Sequence, residues 1–167
     1  MWLLKKRTEA GRGPASSLIG LAFLLGGCGS DIPSSEVTTG LTLDCQVFQS
    51  QVAGTGVNRI FDLNIGGRTC SASGCHSANG SAGGAFKIYP GALPNTVEMQ
   101  ANYLVAKGFA NLSSPVDSKL LLEPLAGSQS IVGSHAGGDI FTSGDPEYAT
   151  ILTWVMTQIQ GPSSCFP

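Results

Sequence analysis

The five cysteines, at positions 28, 45, 70, 75 and 165, constrain this chain more than any other feature. What they can do depends on the compartment they reach, and the first residues speak to that. Lys5, Lys6 and Arg7 form a positive start, and an apolar run from Leu18 to Leu25 follows, closed by Gly26-Gly27. The run is shorter than the roughly 20 apolar residues that span a bilayer. It has the pattern of an export segment that is removed from the working protein. Export delivers cysteines to an oxidising compartment, where thiols left idle are uncommon. Each cysteine is therefore expected to be paired, ligated or modified.

Leu25-Gly26-Gly27-Cys28 resembles the lipobox of bacterial lipoproteins. The resemblance implies cleavage after residue 27 and a lipid on the Cys28 thiol, with the cysteine as the new N-terminus. An ordinary signal peptide, or an uncleaved anchor with Cys28 as a bystander, is the plainer alternative. Each buried methylene contributes about 0.8 kcal/mol, so several acyl chains on one cysteine would make a durable anchor. Gly29 and Ser30 follow, without the aspartate that the family's sorting rule links to inner-membrane retention. An outer-membrane lipoprotein, on the periplasmic or the cell-surface face, is the expectation.

Removal of residues 1–27 leaves 140 residues, enough for one domain with a single core. Residues 28–40 have no apolar periodicity and read as a lipid-bearing flexible tether. Residues 41–167 are the expected folded domain. Past residue 27 five basic residues stand against ten acidic ones, a net charge of −5. No basic patch exists to bind nucleic acid. Glycine, serine and asparagine are plentiful and charges sparse, the composition of a loop-rich exported domain.

The periodicity is that of a mostly α fold, with few short helices and long loops. Val57, Ile60, Phe61 and Ile65 suggest a helix just ahead of Cys70, and residues 101–109 and 119–125 suggest two more. The clearest helix follows Asp145, a candidate cap, with Pro146 in its first turn and Glu147 complementing the dipole. Tyr148, Ile151, Leu152, Val155 and Ile159 recur at helical spacing, and Gly161-Pro162 ends the run. Little strand pattern is visible. With Cys28 assigned to lipid, elimination pairs Cys45 with Cys165, a closure worth roughly 2 to 4 kcal/mol.

The remaining pair lies in Cys70-Ser71-Ala72-Ser73-Gly74-Cys75-His76. Covalent haem attachment needs two thiols that add across two vinyl groups, and a histidine directly after the second whose imidazole reaches the iron. The usual motif has two residues between the cysteines; this chain has four. A small Cys70–Cys75 disulfide loop, a structural zinc site using Cys70, Cys75 and His76, and chance in a Ser/Gly-rich loop are the competing readings.

The motif is followed by Gly83-Gly84-Ala85-Phe86, by Ser118-Lys119-Leu120-Leu121-Leu122, by His135-Ala136-Gly137-Gly138, and by a last helix carrying Ile151, Leu152 and Trp154. Over about residues 57–160 this order resembles the cytochrome c-like domains of exported bacterial proteins. The resemblance implies one haem c, bound covalently through Cys70 and Cys75 with His76 as proximal iron ligand. Members commonly carry a methionine in the loop before the last helix. Here that loop has His135 between glycines, which let a backbone pass close to a flat ligand. His135 is the expected distal ligand, with Met99 as the other candidate and Met156 assigned to the core. Two histidine ligands imply a lower potential than a His/Met pair.

With both axial positions filled, no site is left open for a substrate, and an electron carrier rather than an enzyme is expected. Phe61, Phe86, Leu121, Leu122, Ile151, Leu152 and Trp154 are the residues expected to exclude water; Tyr148 and Trp154 are expected core aromatics. The implied partners are redox proteins of the envelope, with the membrane reached through the lipid. A non-haem, disulfide-stapled interaction lipoprotein is the competing function, and a haem enzyme with an open iron site is a third.

Overall fold

The computed structural model describes residues 40–127, 135–161 and 165–166. The export segment, Cys28 and all of the tether except Gly40 lie outside the described residues. Helices supply most of the regular structure, and the longest has 12 residues. Helices this short are marginal in isolation, so tertiary packing must hold them.

The two ends of the domain meet first. Strand β1 (Leu41–Leu43) pairs antiparallel with β2 (Gln158–Gln160), with Thr42 opposite Ile159. Ile159, expected on the last helix, is therefore a strand residue. Cys45 and Cys165 form a disulfide with their Cα atoms 5.9 Å apart, bracing the same junction.

Asp44 caps α1 (Cys45–Gln49), its carboxylate accepting from the Gln46 and Val47 amides. A loop leads to α2 (Val57–Asp62), the helix ahead of the cysteine motif. Thr96 caps α3 (Val97–Gly108) through its hydroxyl, which accepts from the Met99 amide. A single 3₁₀ turn, Pro115–Asp117, leads into α4 (Lys119–Leu122). The last helix, α5 (Pro146–Met156), begins after Asp145 as the sequence suggests. Asp145 gives no side-chain cap to α5, because its carboxylate accepts from the Thr142 amide at 2.7 Å and closes the preceding turn. Among the described residues no helix is long and apolar enough to cross a membrane.

The core is aromatic at its centre. Phe48 of α1 packs on Trp154 of α5 at 5.2 Å, on Tyr103 of α3 at 5.5 Å and on Phe61 of α2 at 6.2 Å between ring centres. Both polar ring groups find partners, as buried ones must. The Tyr103 hydroxyl donates to the Leu43 carbonyl and the Trp154 indole to that of Asp44. A second tie is polar. The buried Asn102 side chain donates to Asn58 Oδ1 and to the Tyr89 carbonyl and accepts from the Tyr89 amide. This bond set joins α2, α3 and the loop that follows the motif.

Candidate functional site

The cysteine motif begins where α2 ends, and the end of α2 holds it. The Ser71 amide donates to the Phe61 carbonyl, while the Ser71 hydroxyl donates to Asp62 Oδ1 at 2.5 Å. The other Asp62 oxygen accepts from the Gly91 amide. Four residues between the cysteines are enough for the loop to close on itself. The Cys75 amide donates to the Ala72 carbonyl and the His76 amide to that of Cys70, both at 2.9 Å. Both thiols are thereby brought to one cavity, as free cysteines without a mutual disulfide. Burial foremost, then the charge that Cys75 would carry, pushes the Cys70 thiol up to about 11. It is a neutral S–H at neutral pH.

His76 is fixed at backbone and ring. Its carbonyl accepts from the Ile88 amide at 2.7 Å, within the Ser77–Ile88 bridge. Its Nδ1 lies 2.9 Å from the Phe86 carbonyl and 3.1 Å from that of Gly83. Carbonyls only accept, so Nδ1 carries a proton, which in the neutral imidazole leaves the lone pair on Nε2, the tautomer of histidines that bind a metal through Nε2. Phe86 meets the imidazole edge to face, with ring centres 5.0 Å apart, and packs in turn on Phe61 and Phe109. Gly83 makes this approach possible: a Cβ there would stand 2.6 Å from His76 Nδ1 and 2.5 Å from the Cys75 carbonyl, on a backbone with φ +86°. Lys87 stabilises the intervening loop by donating to the Gly80 and Ala82 carbonyls.

His135 arrives from the far side of the sequence in the same tautomer. Its Nδ1 is 2.9 Å from the Gly138 carbonyl, and its own carbonyl accepts from the Gly138 amide. A Cβ on Gly137 would press on the ring at 3.0 Å. The loop is pinned downstream by the Leu125–Phe141 bridge and by Ile140 donating to Pro124.

The two imidazoles lie with centres 5.8 Å apart and planes within 16° of parallel. Two ring nitrogens each about 2.0 Å from one metal ion, on opposite sides of it, would place the ring centres roughly 6 Å apart. An offset stack of rings spans similar distances, but it gives no use to two Nε2 atoms that have no hydrogen-bond partner among the described residues. Cys70, Cys75, His76 and His135 all line one cavity of about 290 Å³, just under the roughly 300–1,000 Å³ of cofactor sites. Its walls are apolar, with Ile60, Phe61, Phe86, Phe109, Phe141 and Ile151 among them, and its lining also includes Lys119 and Glu123. Among the described residues no group of three or more His, Cys, Asp or Glu side chains is placed to hold a bare metal ion. A zinc site built from Cys70, Cys75 and His76 finds no support there. Comparisons with family models, with curated proteins and with solved structures found no match.

Met99 lies in the core with no exposed surface and does not line the cavity. Of the residues expected to exclude water, Phe61, Phe86 and Ile151 do line it. Leu121 and Trp154 are core residues, and Leu122 and Leu152 are absent from the lining. Tyr148 packs against Phe141 at 6.1 Å, partly buried. Met156, expected in the core, is instead 61% exposed at the end of α5, because the helix stops there and the chain turns into β2. Phe109, Ile140 and Phe141 were not legible as walls, since each sits at the end of an element or in a loop where periodicity says nothing.

Proposed function

We propose that this chain is a membrane-tethered monohaem c-type cytochrome that carries electrons in the bacterial envelope, with His76 and His135 as axial ligands. The observation that carries the reading is the imidazole pair: two rings 5.8 Å apart, each with Nδ1 committed to a backbone carbonyl, in an apolar cavity that also holds two free thiols. Two imidazoles without a third protein donor suit a metal whose other donors come from its own ligand. A planar macrocycle with vinyl groups for Cys70 and Cys75 meets that requirement.

Bound haem would supply a one-electron iron couple. The chain's own residues do the rest. Cys70 and Cys75 would hold the macrocycle through thioether bonds, each thiol sulfur adding to a vinyl carbon while its hydrogen goes to the neighbouring carbon. The Phe86 and Gly138 carbonyls keep protons on the two Nδ1 atoms, so that Nε2 stays a donor in both oxidation states. Phe61, Phe86, Phe109 and Phe141 keep water from the cavity, which limits the reorganisation that accompanies a change of charge. Two imidazole ligands set a lower potential than an imidazole and a thioether. The lipid anchor rests on the lipobox-like Leu25–Cys28.

The test is an absorbance spectrum of the natively matured protein together with a denaturing gel stained for haem. A sharp low-spin Soret band and covalent haem are expected, and Cys75→Ser is expected to lower covalent haem to a small fraction of wild type. A correctly exported, folded protein without covalent haem would sink the proposal, and thiol mapping would then reveal a Cys70–Cys75 disulfide if the stapled-module reading holds.

A further inference from the structure

The hydrogen bonds around His135 are not all made by its own loop. Arg68, two residues before Cys70, donates from Nη1 to the Asp139 carbonyl at 2.7 Å. The guanidinium lies directly against Gly138: a Cβ there would stand 2.8 to 3.0 Å from its atoms, on a backbone with φ +73°. Gly138 supplies the carbonyl that orients the His135 ring. Arg68 thus grips the peptide immediately after the one that sets the imidazole.

Arg68 is itself on a rigid base. Ile65 and Arg68 exchange both backbone hydrogen bonds, at 2.8 and 3.0 Å, across Gly66-Gly67. Both glycines have positive φ, as a two-residue hairpin turn of this hand requires, and Asn64 closes the turn by accepting from the Gly67 amide. The side chain is exposed, and its one hydrogen bond among the described residues is the bond to Asp139. A long cation lying over a glycine with a single carbonyl partner is a latch between two loops, joining the Cys70–His76 segment to the His135 segment across 71 residues of sequence.

We propose that Arg68 is a positioning residue for His135, the latch that keeps the distal imidazole in place opposite His76. The proposal rests on the reading of His135 as an axial ligand. With the latch closed the iron would keep two histidines; with it open, the ties that the described residues give the His135 turn would come from its Phe141 side, and the distal position would become available to water or a small ligand. Arg68 therefore sets whether the centre behaves as a closed electron carrier.

The test uses the full chain in its natively matured form and compares Arg68→Ala, Arg68→Lys and Arg68→Met with wild type. Two readouts are taken, the spin state from absorbance and electron paramagnetic resonance, and amide exchange in a peptide spanning 135–141. Arg68→Ala is expected to add a high-spin component and to speed exchange of the Gly138 amide by about tenfold, the loss of a charge-assisted hydrogen bond. Exchange in α3 and α5 is expected to stay as in wild type. Arg68→Lys can still donate to Asp139 and is expected to restore the low-spin spectrum. Arg68→Met keeps the aliphatic stem over Gly138 but has no donor for the Asp139 carbonyl, and it is expected to reproduce Arg68→Ala, which decides the matter if that variant folds poorly. Unchanged spin state and exchange in Arg68→Ala would overturn the latch, as would an exchange increase spread evenly through α3 and α5, or a lysine variant that behaves as the alanine one. Wild-type protein without covalent haem would overturn the reading of the site instead, and the exchange comparison would still decide the latch.

Discussion

The half of the domain that holds the chain ends and the half that forms the cavity are stabilised by different means. The first rests mainly on side chains meeting side chains, in the Phe48–Tyr103–Trp154 cluster and the Cys45–Cys165 disulfide, with one short backbone ladder between β1 and β2. In the second, loops 64–91 and 135–141 are held largely by backbone groups and by polar side chains that reach backbone groups, with glycines where an imidazole or a guanidinium passes closest. The first half needs volume in its side chains. The second needs its absence at particular positions. The scaffold should therefore fail by losing stability with the site intact, and the site should fail with the scaffold intact.

Replacing Cys45 and Cys165 together with alanine breaks the comparison from the scaffold side. The bond joins residues 120 apart, and its removal is expected to cost about 2 to 5 kcal/mol. Thermal unfolding should show the loss, while below the transition the absorbance spectrum of the matured protein should match wild type. A spectrum changed at low temperature would mean that the two halves are not separable.

Gly83→Ala breaks it from the other side. The added methyl meets the Cys75 carbonyl and His76 Nδ1 well inside contact distance, at positive φ. A cost of about 2 to 3 kcal/mol is expected from backbone strain plus displacement of the imidazole, together with, on the proposed haem reading, a changed absorbance spectrum. Gly84 is the matched control, because it also has positive φ but a Cβ added there would meet nothing within 4 Å. Gly84→Ala should cost about 1 to 2 kcal/mol by strain alone and leave the spectrum as it was.

The same division explains what could be read from the sequence. Side-chain periodicity finds helices, so α2, the centre of α3, α4 and α5 lie within the stretches that periodicity suggested. Counting cysteines by elimination found the Cys45–Cys165 bond. Motif spacing pointed to Cys70, Cys75 and His76, and the resemblance together with the flanking glycines pointed to His135; all four line one cavity. Strands β1 and β2 were not visible, since three residues are too few to show alternation and their partners are at opposite ends of the domain. Arg68 and Asn102 escaped as well. Their roles depend on which backbone carbonyls the fold brings near them, and no local pattern encodes a partner more than ten residues away. Gly83, noticed only as part of a Gly-Gly pair, owes its importance to the ring that passes over it.

The Cys70 thiol gives a pH test confined to the cavity side, in protein expressed without a haem-maturation system, where the proposed thioether would not form and the thiol persists. Its folded value of about 11 lies above the ordinary 9.0. The unfolded chain therefore loses this proton first as pH rises, and folding takes a proton up in between. The contribution is complete below about 9 and is lost as pH rises towards and through about 11. Between pH 8 and 11 the wild-type chain should lose up to about 2 kcal/mol more than Cys70→Ala does, by urea unfolding. Equal losses would show that the thiol is better solvated than its place in the cavity implies.

The smallest effect is expected at a core residue that does not reach the cavity. Met99 is fully buried on α3, while the cavity is lined from α2, α4, α5 and the loops. If it serves only as packing, Met99→Leu conserves volume and apolar character and should cost less than about 1.5 kcal/mol. The spectrum of the matured protein should be unaltered, because no ligand is removed. A thioether ligand would behave otherwise, since leucine has no atom to offer a metal and the distal position would empty. The same substitution thus separates a scaffold residue from a site residue by which readout moves, stability alone or the spectrum as well.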